Sequence, residues 1–272
     1  MLDIRKIPLG ALIGLILTTL FLLAAIFAPW IAPYGLGEIV GSVWEPPSST
    51  FLLGTDNLGR DLLSRMIYGA RTTILIAVLA TALSFILGSV LGFAAAVIGG
   101  WFDTLTSRFV DLLMAIPTLI FALVVLSVLP SNIVTLILVM GLLDATRVYR
   151  LSRAVAVDIN VMDFVEAAKL RGEGEMWIIF REILPNALSP LVSELGLRFI
   201  YAVLFLSALS FLGLGVQPPL PSWGLMISEA KAYMFFSFWL IALPGSALAL
   251  LIFAINLAGN GLRDVISPEG RT

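Results

Sequence analysis

Asp, Glu, Lys and Arg are spread very unevenly along the chain. Five stretches lack all four: 7–37, 72–102, 112–143, 199–228 and 232–262, each of 30 to 32 residues. A membrane-crossing helix needs about 20 mostly apolar residues, and soluble domains do not produce five such runs. The pattern predicts an all-α membrane protein. The third run contains Leu129-Pro130-Ser131-Asn132, a turn signature that divides it into helices near 110–129 and 131–149, with Asp111 and Asp144 at helix ends. Pro117 and Pro244 are candidate kinks.

The side on which basic residues lie decides between five and six crossings. The segment 147–181 carries Arg147, Arg150, Arg153, Lys169, Arg171 and Arg181, and the N-terminus carries Arg5 and Lys6. Both belong in the cytoplasm, so an even number of crossings separates them. Six transmembrane helices follow, with the N- and C-termini cytoplasmic, as Arg263 and Arg271 also suggest. The apolar stretch from Leu9 to Ala28 exceeds the 7–15 residues of a signal-peptide core and is read as a retained anchor.

Two segments outside the runs are long. The outer one, 38–71, includes Trp44-Glu45-Pro46-Pro47 and then Gly54-Thr55-Asp56-Asn57-Leu58-Gly59-Arg60-Asp61. Asp56 is a candidate N-cap for an amphipathic helix on the membrane surface. Leu58, Leu62, Leu63, Met66 and Ile67 would share one face, and Asp61 and Arg65 are spaced for an i,i+4 pair. This helix either delivers the chain into the second crossing or docks an external partner. The inner segment, about 150–190, is far longer than a usual helix connector. Glu166-Ala167-Ala168 followed by Gly172 suggests a short helix with two small residues on its surface, ended by a glycine at positive φ. A second helix through Trp177–Phe180 would break at Pro185. The segment is either a docking knob or a self-packed hairpin.

Composition removes most other chemistry. Lys+Arg number 16 against 18 Asp+Glu, a net charge of −2, so there is no basic surplus to neutralise nucleic-acid phosphates. The absence of cysteine and histidine excludes disulfides, thiol nucleophiles, Ser-His-Asp catalysis and the common metal sites. No Gly-rich Lys-Ser/Thr phosphate loop is present. Glu194 and Arg198, four apart near the start of the fifth run, are spaced to neutralise each other or to gate a substrate. Gly88, Gly92, Gly213 and Gly215 would allow close helix packing. An ion-coupled secondary carrier is the main rival reading, but it would show an internal repeat and mid-membrane ionisable groups, and neither is evident.

Several stretches in order resemble one family. Glu166-Ala167-Ala168, Gly172 and Leu184-Pro185 resemble the EAA loop of permease subunits of bacterial ABC importers. Gly54-Thr55-Asp56…Gly59-Arg60-Asp61, Leu209-Ser210-Phe211-Leu212-Gly213-Leu214-Gly215-Val216-Gln217-Pro218-Pro219, and Asn256-Leu257-Ala258-Gly259-Asn260-Gly261-Leu262-Arg263-Asp264 are similar to the dipeptide, oligopeptide and nickel branch, C-type subunits in particular. The chain departs from the pattern at Glu182, Asn260 and Ser267-Pro268. The resemblance implies a type I importer permease fold in the bacterial inner membrane. It divides the chain into an anchor with outer segment (1–70), a transmembrane domain (71–264) and a cytoplasmic tail (265–272). It implies a second homologous permease subunit, two cytoplasmic ATPase subunits and an external solute-binding protein as partners. ATP and Mg²⁺ would sit on the ATPases, with no cofactor on this chain. The ATPase-coupling residues would be Glu166, Ala167, Ala168, Gly172, Leu184 and Pro185.

Overall fold

A computed structural model describes residues 8–235 and 237–266, the side chains of 260 and 262–266 excepted. The charges used above to orient the termini (Arg5, Lys6, Arg263, Arg271), the Asn260 side chain and Ser267-Pro268 fall outside that description, as does most of 265–272.

Among the described residues, nine helices of eight residues or more carry the chain. They are α1 (Leu9–Ile26), α2 (Leu62–Ile98), α3 (Gly100–Ala115), α4 (Thr118–Val128), α5 (Ile133–Asn160), α6 (Asp163–Leu170), α7 (Glu175–Phe211), α8 (Trp223–Ala230) and α9 (Trp239–Ile266). The outer segment before α2 has only isolated bridges, Ile39 with Arg60 and Thr55 with Asp61. Four helices (α1, α2, α7 and α9) are long and apolar enough to cross a membrane alone, and α3 with α4 makes a fifth candidate bent by 87°. Every 18-residue window of α5 holds at least three of Asp144, Arg147, Arg150, Arg153 and Asp158, so α5 is not apolar enough by that measure. The apolar side chains that would face lipid are out in the open. On α1, Leu12, Ile13, Ile16, Leu20 and Leu23 are all exposed.

Helix packing is set by small residues. The most extensive contact is between α2 and α5. A Cβ at Gly88 would lie 2.6 Å from Val148 Cβ, and one at Gly92 would lie 2.8 Å from the Tyr149 carbonyl oxygen. From the other side, a Cβ at Gly141 would meet Leu83 at 2.7 Å. With no hydrophobic drive between helices in lipid, such close backbone approach is what holds them together. Gly14 does the same for α1 against α9, where an added Cβ would fall 2.5 Å from the Ala258 nitrogen. Ile76, Ala80, Met140, Leu143, Leu206 and Leu209 fill the layer between α2, α5 and α7.

The structure corrects several expectations. The helix expected near 110–129 is broken, because Pro117 removes an N–H and forces Ile116 into extended backbone (ψ 131°). The turn at 129–132 forms as expected, and Asn132 caps α5 by accepting from the Thr135 N–H at 2.8 Å. That helix then runs on to Asn160, so Asp144 lies in its interior rather than at an end, and Asp111 lies within α3. Pro185 causes no break. The chain makes a π turn at Ile179–Ile183 just before it, and that wider turn gives the proline ring room that an α turn denies. Pro190 and Pro244 likewise sit inside unbroken helices. Gly213 (φ +86°) ends α7 in a left-handed turn, with the Leu214 N–H donating to the Leu209 carbonyl at 3.0 Å. Gly215 folds back against Ser210 of the same turn. Neither packs helix against helix, as Gly88 and Gly92 do.

Candidate functional site

The inner segment forms a knob seated on the helix ends. In α6 the acidic Asp163 and Glu166 occupy the first turn and Lys169 the last, which suits the helix dipole. The helix ends at Gly172, whose φ of +83° only glycine adopts without cost. The Gly172 N–H donates to the Lys169 carbonyl at 2.9 Å and the Glu173 N–H to the Ala168 carbonyl at 3.2 Å, a Schellman closure. A Cβ at Gly172 would meet nothing within 4 Å, so backbone conformation is what requires this glycine.

The two alanines part company. Val165 and Ala168, three apart and therefore on one face, are fully buried. Val165 packs with Ile159 of α5, Phe93 of α2, and Ile178 and Ile183 of α7. Ala167 and Glu166 are exposed, so only one of the two alanines expected on the surface is there. The Lys169 ammonium donates to the Asn160 carbonyl at 3.3 Å, and the Asn160 amide donates to the Ala96 carbonyl of α2 at 3.1 Å. Leu184 is half-buried against the same apolar cluster, and Pro185 is exposed.

The sequence shows a mixed, partly apolar segment, with Phe164, Val165, Ala167, Ala168 and Leu170 among its charges, but not which of its apolar residues point outward. Val161 is 76% exposed and Leu170 84%, with Met162, Phe164, Met176 and Phe180 also exposed. Large apolar side chains left open beside a polar segment mark an interaction surface. The signal was present in the sequence, since those residues stand among Asp163, Glu166, Lys169 and Arg171. Choosing the outward ones required knowing which face α6 lays on the core.

At the other end of α2, the outer segment is clamped to the helices by side-chain ion pairs. Asp56 accepts from the Leu58 N–H at 2.8 Å, the Arg60 N–H at 3.0 Å and Arg60 Nε at 2.7 Å, and it also pairs with Arg65. Burial opposes its ionisation, but the Arg65 charge and the backbone donors outweigh it, and its pKa lies below the ordinary value. Asp56 is therefore an ion-pair hub and not a helix cap. Asp61 takes the cap, accepting from the Ser64 N–H at 2.7 Å. The expected Asp61–Arg65 pair is not formed, because Arg65 turns to Asp56 and Glu229. No separate amphipathic surface helix exists here, since Leu62 to Ile98 is one helix.

The expected pair within the fifth run does form. Arg198 Nε donates to Glu194 at 2.7 Å. A third member comes from α5, where Asp144 lies 3.4 Å from Arg198.

Comparison with known proteins agrees with this architecture. A family model described as "Binding-protein-dependent transport system inner membrane component" matches residues 88–271. Another, "N-terminal TM domain of oligopeptide transport permease C", matches 10–42. The di/tripeptide transport system permease protein of Pseudomonas aeruginosa is 39% identical over 267 residues, 96% of this chain and 88% of its own length. The dipeptide transport system permease protein of Escherichia coli K12 is 40% identical over 268 residues, 96% and 89% of the two chains. Among solved structures, a chain of the MetNI methionine ABC transporter in an inward facing conformation superposes with a TM-score of 0.60 at 18% identity. The match covers 74% of this chain and 96% of that one, and it establishes a shared fold.

Proposed function

The chain belongs to the family of binding-protein-dependent transport system inner membrane components, and from that membership we propose how it works in peptide uptake. It is an inner-membrane permease subunit of an ABC importer, related over nearly its whole length to dipeptide permeases. Its cargo is small peptides. It performs no covalent chemistry. ATP and Mg²⁺ act on two cytoplasmic ATPase subunits, a second homologous permease completes the translocation path, and a solute-binding protein delivers cargo from outside.

Six crossings account best for the helices: α1, α2, the bent α3–α4 pair, α5, α7 and α9. The charged inner half of α5 then pairs with its neighbours and not with lipid. Both termini and the α6 knob lie in the cytoplasm, while the outer segment and α8 face the binding protein.

The single observation that carries the mechanism is the knob. It offers an apolar crown and Glu166 outward, and inward it is fused through Val165 and Ala168 to α2, α5 and α7. Close-packed interiors transmit displacement and do not absorb it. Closure of the ATPases therefore moves the knob and three helices together, which converts nucleotide state into alternating access. Glu166 and Ala167 meet the ATPase, Ala168 and Leu184 seat the knob, Gly172 shapes its end, and Pro185 leads into α7.

Tagging the chain, solubilising membranes gently and identifying stoichiometric partners by mass spectrometry tests this reading. One homologous permease and ATPase subunits are expected, with the ATPases lost in a Gly172→Arg control. A chain recovered alone or as a homo-oligomer in several detergents would overturn it.

A further inference from the structure

One cavity lies where charge enters the apolar helices. It measures about 270 Å³ between α2, α4, α5 and α7, and its polar walls are Thr81, Thr118, Asp144, Arg147 and Tyr201. That is near the low end of the roughly 300–1,000 Å³ of small-molecule sites, which are mostly apolar with a few placed polar groups. Arg147 follows Ile133, the first residue of α5, by fourteen positions, about 21 Å at ~1.5 Å per residue. Such a position falls within the ~30 Å hydrocarbon thickness, where ionised groups persist only when paired or facing a watery cavity.

Asp144 and Arg147 do both. They stand 3.6 Å apart, and the Arg147 side chain remains 41% exposed. Arg147 also donates to the Thr118 hydroxyl at 3.1 Å, at the start of α4. Behind them, Arg198 and Glu194 complete a set of two acids and two bases with no net charge. Ser84, one turn from Thr81, donates to Asp144 at 3.3 Å. Thr81 is only 4% exposed, and its hydroxyl has no hydrogen-bond partner. A buried hydroxyl without a partner, on a residue that lines a cavity, is a vacancy for a polar ligand atom.

We propose that this cavity is a transient site for a small zwitterion, an unblocked short peptide passing through the permease. Its ammonium pairs with Asp144, its carboxylate pairs with Arg147, and a polar atom between them meets the Thr81 hydroxyl. The charge set selects the ligand class. A zwitterion replaces the Asp144–Arg147 contact without changing net charge, whereas a net anion or cation leaves a wall charge uncompensated at membrane depth. A long contact of 3.6 Å between opposite charges is one that a ligand can part and that can re-form behind it, as release requires.

The proposal rests on the peptide-importer reading, and its test uses the assembled importer. The chain has no cysteine, so Thr81→Cys gives it a single thiol of similar size. In nanodiscs, labelling by a small cationic methanethiosulfonate is followed by the mass of this chain, with and without millimolar L-alanyl-L-alanine. The expected result is labelling slowed at least about threefold by the free dipeptide. N-acetylated or C-amidated forms should not slow it, and protection should disappear when Arg147→Gln is added. Equal protection by capped and free forms, no protection of a reactive thiol, or a thiol inert in every nucleotide state would each overturn the site. Failure of the ATPases to co-assemble would instead defeat the importer reading.

Discussion

One guanidinium nitrogen of Arg65 donates to Glu229 Oε2 at 2.7 Å, across 164 positions of the chain. The same side chain pairs with Asp56, so a single arginine joins the outer segment, the first turn of α2 and the end of α8. Trp223 reinforces the joint, its indole N–H donating to the Met66 carbonyl at 3.0 Å. The outer face is thus held by a few buried polar contacts beside an apolar cluster in which Trp44, Leu53 and Met66 pack on Leu62, Trp223, Met226 and Ala230.

Arg65→Ala should loosen that face first. Removing one partner of a buried ion pair typically costs about 3–5 kcal/mol, and here the loss should fall toward the low end, because Asp56 and Glu229 are left to share Arg60 as their remaining counterion. Limited proteolysis in detergent should show faster cleavage within 38–61, with helix content by circular dichroism nearly unchanged.

Asp56 gives the same face an acid limit. Its folded pKa lies below the ordinary carboxylate value, so its contribution is complete above about pH 4, the unfolded value. It is lost as pH falls through the lower folded value. Melting temperature followed from pH 7 to pH 3 should decline more steeply at the acid end for the parent than for Asp56→Asn.

The α2–α5 seam should not accept added volume. Gly88→Ala places a methyl group 2.6 Å from Val148 Cβ, and overpacking of this kind costs about 1–3 kcal/mol. Gly245→Ala on α9 meets nothing within 4 Å and should leave the melting temperature of the isolated chain unchanged or slightly higher, since alanine favours a helix by roughly 0.5–1 kcal/mol over glycine. Comparing the two melting curves separates packing from propensity.

Gly172 should rank substitutions by backbone conformation. Asparagine tolerates the left-handed region and alanine pays roughly 1–2 kcal/mol there. Transport per ATP hydrolysed should fall in the order Gly, Asn, Ala, while the amount of inserted protein stays level. Equal coupling in all three would show that the turn is not what the ATPases read.

How much of this was legible beforehand follows from the range of the forces involved. Charge-free runs report the solvent that each segment must face, a local property, so the membrane helices, the 129–132 turn and the long inner segment could be read directly. Glu194 and Arg198 pair within one helix turn and were equally visible. Asp144 joining them, Arg65 leaving Asp61 for Asp56 and Glu229, and Ala168 turning inward while Ala167 turns out all depend on which helix face meets which neighbour. Prolines show the same division. Each one marks a missing donor, and Pro117, a candidate kink, breaks the chain by 87°, whereas only the structure showed that Pro185 is absorbed by a π turn. The sequence by itself determined that this chain lives in a membrane and carries one long, mixed polar and apolar segment between its helices. Tertiary structure alone decided which side chains that segment presents and where charge gathers inside the helices, because both arise from contacts between residues far apart in the chain.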